Sequence, residues 1–276
     1  MFCKFCDIEI KSIKKVQSPV TPHQYNLYEC KNCSSRFFDH NEHDVSLSHL
    51  YENLAEQRAN FPVEFSPKPY WKNQEQILTR LLSKKPDSVL DVGSRTGDFL
   101  MHFDSDIKRV GVELSEYFCE ISKKRGLETH QSFLEDINFD ETFDIVSSYA
   151  IMEHLVDPLK FMETLNSLVK PGGILVILIP SHQTLKAKFL KQKWHMYSPP
   201  EHLNFYSKTF LDHYLADSNF SLVKRYYSIG GMFKPLKNVK LFKPIHSKIP
   251  ALLDSIPFIK KIPVYDHMFS YYQKLS

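Results

Sequence analysis

Glycine is scarce in this chain, eight of 276 residues, so a stretch where two fall close together stands out as a place where the backbone must turn sharply or be approached closely. Long apolar runs are missing. The longest, Ile174–Ile179, falls far short of the roughly 20 residues that cross a bilayer. The amino terminus, Met1-Phe-Cys-Lys-Phe-Cys6, has no apolar core of the kind that marks a signal peptide, and the cytoplasm is the expected compartment. No sign of charge dominates. The 35 basic and 32 acidic residues leave a net +3, which argues against a dedicated nucleic-acid binder. Four of the five cysteines fall before residue 34, so the body of the chain has no disulfide framework. With 42% hydrophobic residues, the length suffices for one full-sized core and a small accessory module.

One such pair lies in Ser88-Val-Leu-Asp-Val-Gly-Ser-Arg-Thr-Gly-Asp-Phe-Leu100. Val89, Leu90 and Val92 stop at Gly93, a polar turn follows, and apolar spacing resumes at Phe99 and Leu100. The pattern predicts a buried parallel strand running through a tight turn into a helix. Gly93 would let a ligand approach the backbone, and Gly97 would let the chain enter the helix without a Cβ clash. Farther on, Val110-Gly-Val-Glu113-Leu114 reads as a second strand ending in an acid, where a carboxylate can accept both hydroxyl hydrogens of a ribose. Strand, glycine turn, helix, strand and acid make half of a nucleotide-type fold. A turn that merely connects strand to helix would look the same.

The next segments decide between these readings. Phe143-Asp-Ile-Val-Ser-Ser-Tyr-Ala-Ile-Met-Glu153-His154-Leu-Val-Asp157-Pro158 is followed by a helix and then by Leu168-Val-Lys-Pro171-Gly172-Gly173-Ile-Leu-Val-Ile-Leu-Ile-Pro180. Taken with the glycine loop and Glu113, this order resembles the class I S-adenosylmethionine (SAM)-dependent methyltransferases over about residues 70 to 228. The resemblance implies an α/β fold with a Rossmann-like, seven-stranded, mostly parallel sheet and helices on both faces. It also implies SAM as cofactor, held by Asp91, Gly93, Ser94, Arg95 and Gly97 of the loop and by Glu113 and Leu114. Ser132 and Phe133 would edge the adenine, and Ser148 and Tyr149 would lie beside the sulfonium. The family's middle glycine is Arg95 here, a departure that bears on how the loop sits.

Cys3-Lys-Phe-Cys6 and Cys30-Lys-Asn-Cys33 are two Cys-x-x-Cys knuckles, which can present four thiolates tetrahedrally. Structural Zn2+ on Cys3, Cys6, Cys30 and Cys33 is expected ahead of two disulfides or a redox pair. His23, His40 and His43 are alternative ligands but read as surface residues. Pro19, Pro22 and a strand at Tyr25–Tyr28 would fill the long gap as a hairpin. The expected division is a zinc ribbon over 1–45, a connecting helix and linker over 46–69, with Leu47, Leu50, Tyr51 and Leu54 at helical spacing, and a methyltransferase domain over 70–276 carrying an insertion at 230–263. Within that domain, Ile77, Leu78, Leu81 and Leu82 predict a helix before the first strand. Phe118, Cys119 and Ile121 predict the inner face of another, with Cys119 a core residue and not a nucleophile.

The acceptor side centres on histidines. His154 follows the fourth strand and can act as a general base near neutral pH; alternatively Glu153 and His154 cap and brace the next helix. The polar aromatic loop Trp194–Ser207 follows the fifth strand, where substrate should bind, and carries Tyr197, Glu201, His202 and Tyr206. It resembles the "EHxxFxS" segment of small-molecule and sugar methyltransferases, some of which also carry a four-cysteine module. His202 comes first among catalytic candidates, because its loop also brings Tyr197, Glu201 and Tyr206 to orient an imidazole and a polyhydroxyl acceptor, then His154 and Tyr197, although a histidine here could equally tie the loop to the sheet. The resemblance implies a sugar or glycoconjugate precursor of surface polysaccharide as acceptor. The rivals are an RNA methyltransferase gripping RNA through Lys4, Lys31 and Arg36, and a binding subunit without activity. The basic, proline-broken segment 232–262 reads as packing on the domain, or else as a lid, a dimer surface or a patch resting on anionic lipid.

Overall fold

The computed structural model describes residues 1–39, 62–228 and 266–276. Between the cysteine pairs, Ser12–Gln17 (β1) and Gln24–Glu29 (β2) form the antiparallel hairpin that the gap and its prolines predict. Arg36–Phe38 (β3) adds antiparallel to β2. The period-two alternation of strands sends Tyr25 and Leu27 inward and leaves Gln24 in solvent.

The body begins with helix Pro69–Leu82 (α1) and continues through strands Ser88–Val92 (β4) and Lys108–Glu113 (β5), helix Glu116–Lys124 (α2), and strands Glu128–Gln131 (β6) and Phe143–Tyr149 (β7). Helix Pro158–Ser167 (α3), strand Val169–Pro180 (β8), short helix Leu185–Leu190 (α4) and two-residue strand Asn204–Phe205 (β9) follow. Helix Lys208–Asp217 (α5), strand Phe220–Ser228 (β10) and strand His267–Lys274 (β11) complete it. Seven of these strands form one sheet in the order β10-β11-β8-β7-β4-β5-β6, with β11 antiparallel to both neighbours and β4 to β8 mutually parallel. This is the expected Rossmann-like sheet. Its strand order reverses beside β4, and that reversal opens a crevice at the carboxyl ends of β4, β5 and β7.

Both sheet faces are covered. On one, Leu78 and Leu82 of α1 pack against Val89, Ile145, Ile174 and Val176. On the other, Phe161 and Leu165 of α3 and Leu211 and Leu215 of α5 pack against Leu90, Val146, Leu175 and Ile177. Neighbouring strand residues thus serve opposite cores, which explains why the strands read as continuous apolar runs. On α2, Phe118, Cys119 and Ile121 are buried as their spacing requires.

Two expectations are corrected. After Gly97 the chain forms only a 3-10 turn at Leu100–His102, not a helix. The polar run Asp104-Ser-Asp106 lies immediately beyond and leaves no room for a second turn before β5. The Lys170–Gly173 turn does not precede β8 but lies inside it. Pairing steps from Phe143–Val169 to Ile145–Ile174, so the turn is bulged out of the ladder around Gly172 at φ 76°.

The ribbon is not a separate bead. β9, from the loop after β8, pairs antiparallel with β3 and completes a four-stranded sheet, β1-β2-β3-β9, with Arg36 opposite Phe205 and Phe37 opposite Asn204. A shared core joins Val16, Tyr25, Leu27 and Phe38 of the ribbon to Trp194, Tyr197, Leu203 and Phe205. No helix among the described residues is long and apolar enough to cross a membrane. The expected helix around Leu47–Leu54, most of the linker and the 232–262 segment lie outside the described residues.

Candidate active site

The glycine loop is tied to β5 by its own backbone, with Gly93 N–H and Ser94 N–H donating to the Val112 carbonyl at 2.8 and 3.1 Å. Gly93 and Gly97 both have φ near +75°, where a Cβ is strained. The crowding differs from the sequence expectation. A Cβ on Gly93 would strike the Ile151 side chain, and one on Gly97 would strike Leu127, so protein packing already demands both glycines. Arg95, in the place of the family's middle glycine, adopts the same left-handed region at φ 49°. Its guanidinium lies 4.9 Å from the Phe118 ring centre, a cation–π contact.

Glu113 ends β5 and is nearly buried. One carboxylate oxygen accepts from Arg95 N–H at 2.9 Å, and the other from Leu114 N–H and Ser115 N–H at 2.9 Å each. The acid therefore pins the loop to the start of α2, where Ser115 is the N-cap. Burial pushes its carboxyl up, and those backbone donors pull it back. Asp91 is buried beside it and pushed up to about 7 by burial, although Ser147 Oγ donates to it at 2.6 Å. The hydroxyls of Ser94, Ser148 and Tyr149 are buried with no hydrogen-bond partner among the described residues. Buried polar atoms are rarely left so. Two buried carboxylates and unpartnered hydroxyls at the ends of β4, β5 and β7 fit a polar ligand carrying hydroxyl donors and positive charge. Ser132 and Phe133 follow β6 directly, and Phe133 is 51% exposed at the rim.

Just beyond β7, residues Met152–His154 form a 3-10 turn. Neither Glu153 nor His154 caps the next helix. Asp157 does, accepting from Lys160 N–H. Instead the turn meets the loop ahead of β9: Leu203 N–H donates to the Glu153 carbonyl at 2.7 Å, and Tyr206 OH donates to the Met152 carbonyl at 2.6 Å. His154 and His202, 48 positions apart in sequence, have ring centres 4.8 Å apart. His154 Nδ1 donates to the Glu201 carbonyl at 2.6 Å, and His202 Nδ1 to the Met196 carbonyl at 2.8 Å, so both rings turn Nε2 the other way. The Glu153 side chain, 2% exposed, reaches within 4.0 Å of His154 Nε2. Burial pushes His154 down to about 3, lowers His202, and raises Glu153 to about 8. His154 is therefore neutral at pH 7 and does not titrate near neutrality, and burial shifts His202 toward its neutral form as well.

Tyr197 lies in a different setting from the two histidines. Its hydroxyl accepts from Arg36 at 2.8 Å, and its ring packs on Trp194, Phe38 and Phe205 in the seam with the ribbon. Ser207, placed just before the apolar stripe Phe210–Leu215, caps α5 as that position predicts and also bonds the Cys33 carbonyl. Sequence reading passed over Asn204, which donates to the Leu155 carbonyl at 2.6 Å, and nothing local marks it.

The sulfurs of Cys3, Cys6, Cys30 and Cys33 all lie within 4.8 Å of one another, and none is in a disulfide. Cys3 Sγ and Cys33 Sγ are 3.9 Å apart, close to the roughly 3.8 Å edge of a tetrahedron with zinc–sulfur bonds near 2.3 Å. Phe5 N–H points at Cys3 Sγ and Cys33 N–H at Cys30 Sγ, donors that favour thiolate. The donor set and spacing fit a closed, four-thiolate metal site.

A family profile for the methyltransferase domain matches residues 70–225, and the chain belongs to that family. Among curated proteins, norajmaline N-methyltransferase of Rauvolfia serpentina is 35% identical over 114 residues, 37% of this chain and 39% of that enzyme. Demethylmenaquinone methyltransferase of Staphylococcus aureus is 23% identical over 171 residues, 58% of this chain and 69% of the other. Among solved structures, the N-methyltransferase NodS of Bradyrhizobium japonicum, in complex with S-adenosyl-L-homocysteine, superposes with a TM-score of 0.52 at 12% identity. That match covers 82% of this chain and 98% of NodS, and at such identity it shows the shared fold.

Proposed function

We propose that the chain is a SAM-dependent methyltransferase acting on a small-molecule acceptor, a sugar or glycoconjugate precursor of surface polysaccharide, with structural zinc on its four ribbon cysteines. SAM, when bound, supplies a methyl group on a sulfonium already activated for transfer. The chain's own work is placement. Gly93–Gly97 and Glu113 bind the cofactor's ribose end, Glu113 using lone pairs left over from Arg95, Leu114 and Ser115. The Ser148 and Tyr149 hydroxyls stand ready at the end of β7. Alignment of the acceptor atom with the breaking bond supplies much of the rate. His202, ahead of His154, receives the acceptor hydroxyl's proton, which neutral imidazoles can do.

The observation that carries this reading is the meeting of His154 and His202 just beyond β7, brought about by the pairing of β9 with the ribbon. It gives the ribbon a role in building the acceptor site. The RNA reading loses ground on the same residues: Arg36 is engaged by Glu29 and Tyr197, and Lys4 lies over Phe37 and reaches Asn204. The test incubates purified protein with SAM and a panel of nucleotide-linked sugars and follows S-adenosylhomocysteine and acceptor mass. A methylated sugar is the expected product. Methylation of RNA alone would overturn the acceptor, and absence of SAM binding by calorimetry would overturn the enzyme.

A further inference from the structure

Glu153, His154 and His202 make a second cluster of metal-type donors, remote in kind from the four cysteines. One ligand atom from each lies within 4.8 Å of the other two. Each imidazole has its Nδ1 fixed by a backbone carbonyl, Glu201 for His154 and Met196 for His202. That is how metal-binding histidines are commonly held, with the second nitrogen oriented and made more basic by a carbonyl or carboxylate. Glu153 is held by its backbone, through Leu203 N–H on its carbonyl, while its side-chain Oε2 is buried with no hydrogen-bond partner among the described residues. A carboxylate in that position is neither salt-bridged at hydrogen-bond distance nor solvated, and a buried polar atom of this kind calls for a missing partner.

We propose that Glu153, His154 and His202 form a binding site for one divalent first-row transition ion, of the zinc, cobalt or iron(II) class. Two imidazole nitrogens and one carboxylate oxygen are the donors that class takes, whereas magnesium and calcium prefer all-oxygen shells. Bonds of about 2.0–2.2 Å would draw the donors to roughly 3.4 Å from one another, a contraction of about an ångström. Three protein ligands leave at least one position open, the mark of a site that takes a water or a ligand oxygen, unlike the closed cysteine site. That this position receives an oxygen of the acceptor rests on the function proposed above; the metal site itself does not. With an ion bound, both Nε2 lone pairs would be taken, and the ion's lowering of the hydroxyl's pKa would replace proton acceptance by His202.

The test uses the full-length protein with its ribbon metal in place, and Co2+ alone as the probe, without SAM or acceptor. Wild type should bind one further equivalent of Co2+, with visible absorption bands and without the intense near-ultraviolet charge transfer that thiolate ligands give. His202→Ala and Glu153→Gln should weaken that uptake on the order of a hundredfold, at least the loss seen when a metal site's outer-shell partner is removed. SAM affinity should be unchanged in both, which also shows that the variants fold. Failure of wild type to take up the extra equivalent overturns the site whatever the variants do. Uptake as tight as wild type in both Glu153→Gln and His202→Ala places the cobalt elsewhere and overturns it too. Because uptake is read in the absence of cofactor and acceptor, a protein that binds cobalt but methylates no sugar would discard the acceptor and keep the metal site.

Discussion

The two sides of the crevice are built on opposite plans. On the proposed cofactor side, Asp91, Gly93, Arg95 and Glu113 come from one strand–turn–strand segment and are tied by local backbone bonds, such as Gly93 and Ser94 to Val112. On the proposed acceptor side the contacts that join its pieces are long-range. His154 leans on a carbonyl 47 residues away, and Ser207, at the end of the acceptor loop, bonds a carbonyl 174 residues away in the ribbon. A site of the first kind can be kept by its own strand pair. A site of the second kind depends on a remote module staying folded.

The sharpest way to break the comparison is to remove the ribbon's proposed metal site. In small metal modules the ion's binding energy, about 10 kcal/mol or more, is also the folding energy. The double substitution Cys30→Ser, Cys33→Ser should therefore unfold the ribbon, release β9 from β3, and separate His202 from His154. Methyl transfer should fall by about a hundredfold or more, as expected when reacting groups lose their alignment. SAM affinity, read by calorimetry, should change less than about threefold, a shift no larger than an ordinary surface effect. A parallel collapse of SAM affinity would show that the two sides are one unit.

A second substitution should lower both sides together. Asp144, at the amino end of β7, accepts from Asp87 N–H, Ser88 N–H and Ser88 Oγ at 3.1 Å each, and meets Lys170 and Lys84 at 2.9 Å. These partners, Lys170 first, outweigh burial and hold its carboxyl down at about 2. Asp144→Asn should cost about 1–2 kcal/mol in urea unfolding at pH 7, since Ser88 and the two amides lose a charged acceptor while the half-exposed Lys84 and Lys170 are rehydrated. A depressed acid stabilises the fold above its unfolded value near 3.9 and ceases to do so as pH falls through the folded value. The gap between wild type and variant should thus close between about pH 4 and pH 2.

The same contrast explains what the sequence made legible. Strand runs, the Ser207 cap, the β1–β2 hairpin and the acid ending β5 are local patterns, and each is where its residues put it. The missing helix after Gly97 reflects a chain too short and too polar to continue, which periodicity alone does not weigh. The pairing of β9 with β3 was not legible, because a two-residue strand has no period and its partner lies in another module. For the same reason Glu153 and His154 read either as a helix cap or as a general base beside the cleft, and their meeting with the His202 imidazole from a distant loop was not legible.

Within the cofactor side, Glu113→Ala should raise the SAM dissociation constant about tenfold, roughly the worth of a lost charged acceptor. Glu113 also holds Arg95, Leu114 and Ser115, so part of that loss would come through the loop. Calorimetry with Glu113→Ala and Glu113→Gln separates the parts. If the glutamine variant binds as weakly as the alanine, direct acceptance of the ligand's hydroxyls is the larger share; recovery toward wild type would assign it to the loop. A wild-type constant in the alanine variant would remove Glu113 from the site.

The smallest effect is expected at Arg95. A non-glycine residue at φ 49° carries left-handed strain of about 1–2 kcal/mol, and glycine carries none but loses more chain entropy on folding, about 0.5–1 kcal/mol. Arginine recovers some of the difference through its contact with the Phe118 ring, worth about 0.5–1 kcal/mol where exposed. These terms nearly cancel, so Arg95→Gly should unfold within about 0.5 kcal/mol of wild type. Arg95→Ala keeps the strain and drops the ring contact, and should be the less stable of the two by roughly 1 kcal/mol. The two urea curves decide between accounts of the family's missing glycine. If alanine matches glycine, strain in the loop is relieved elsewhere and the arginine is retained for its contact with Phe118. If glycine exceeds wild type, the loop tolerates the arginine at a cost, and its side chain must be kept for the ligand and not for the fold.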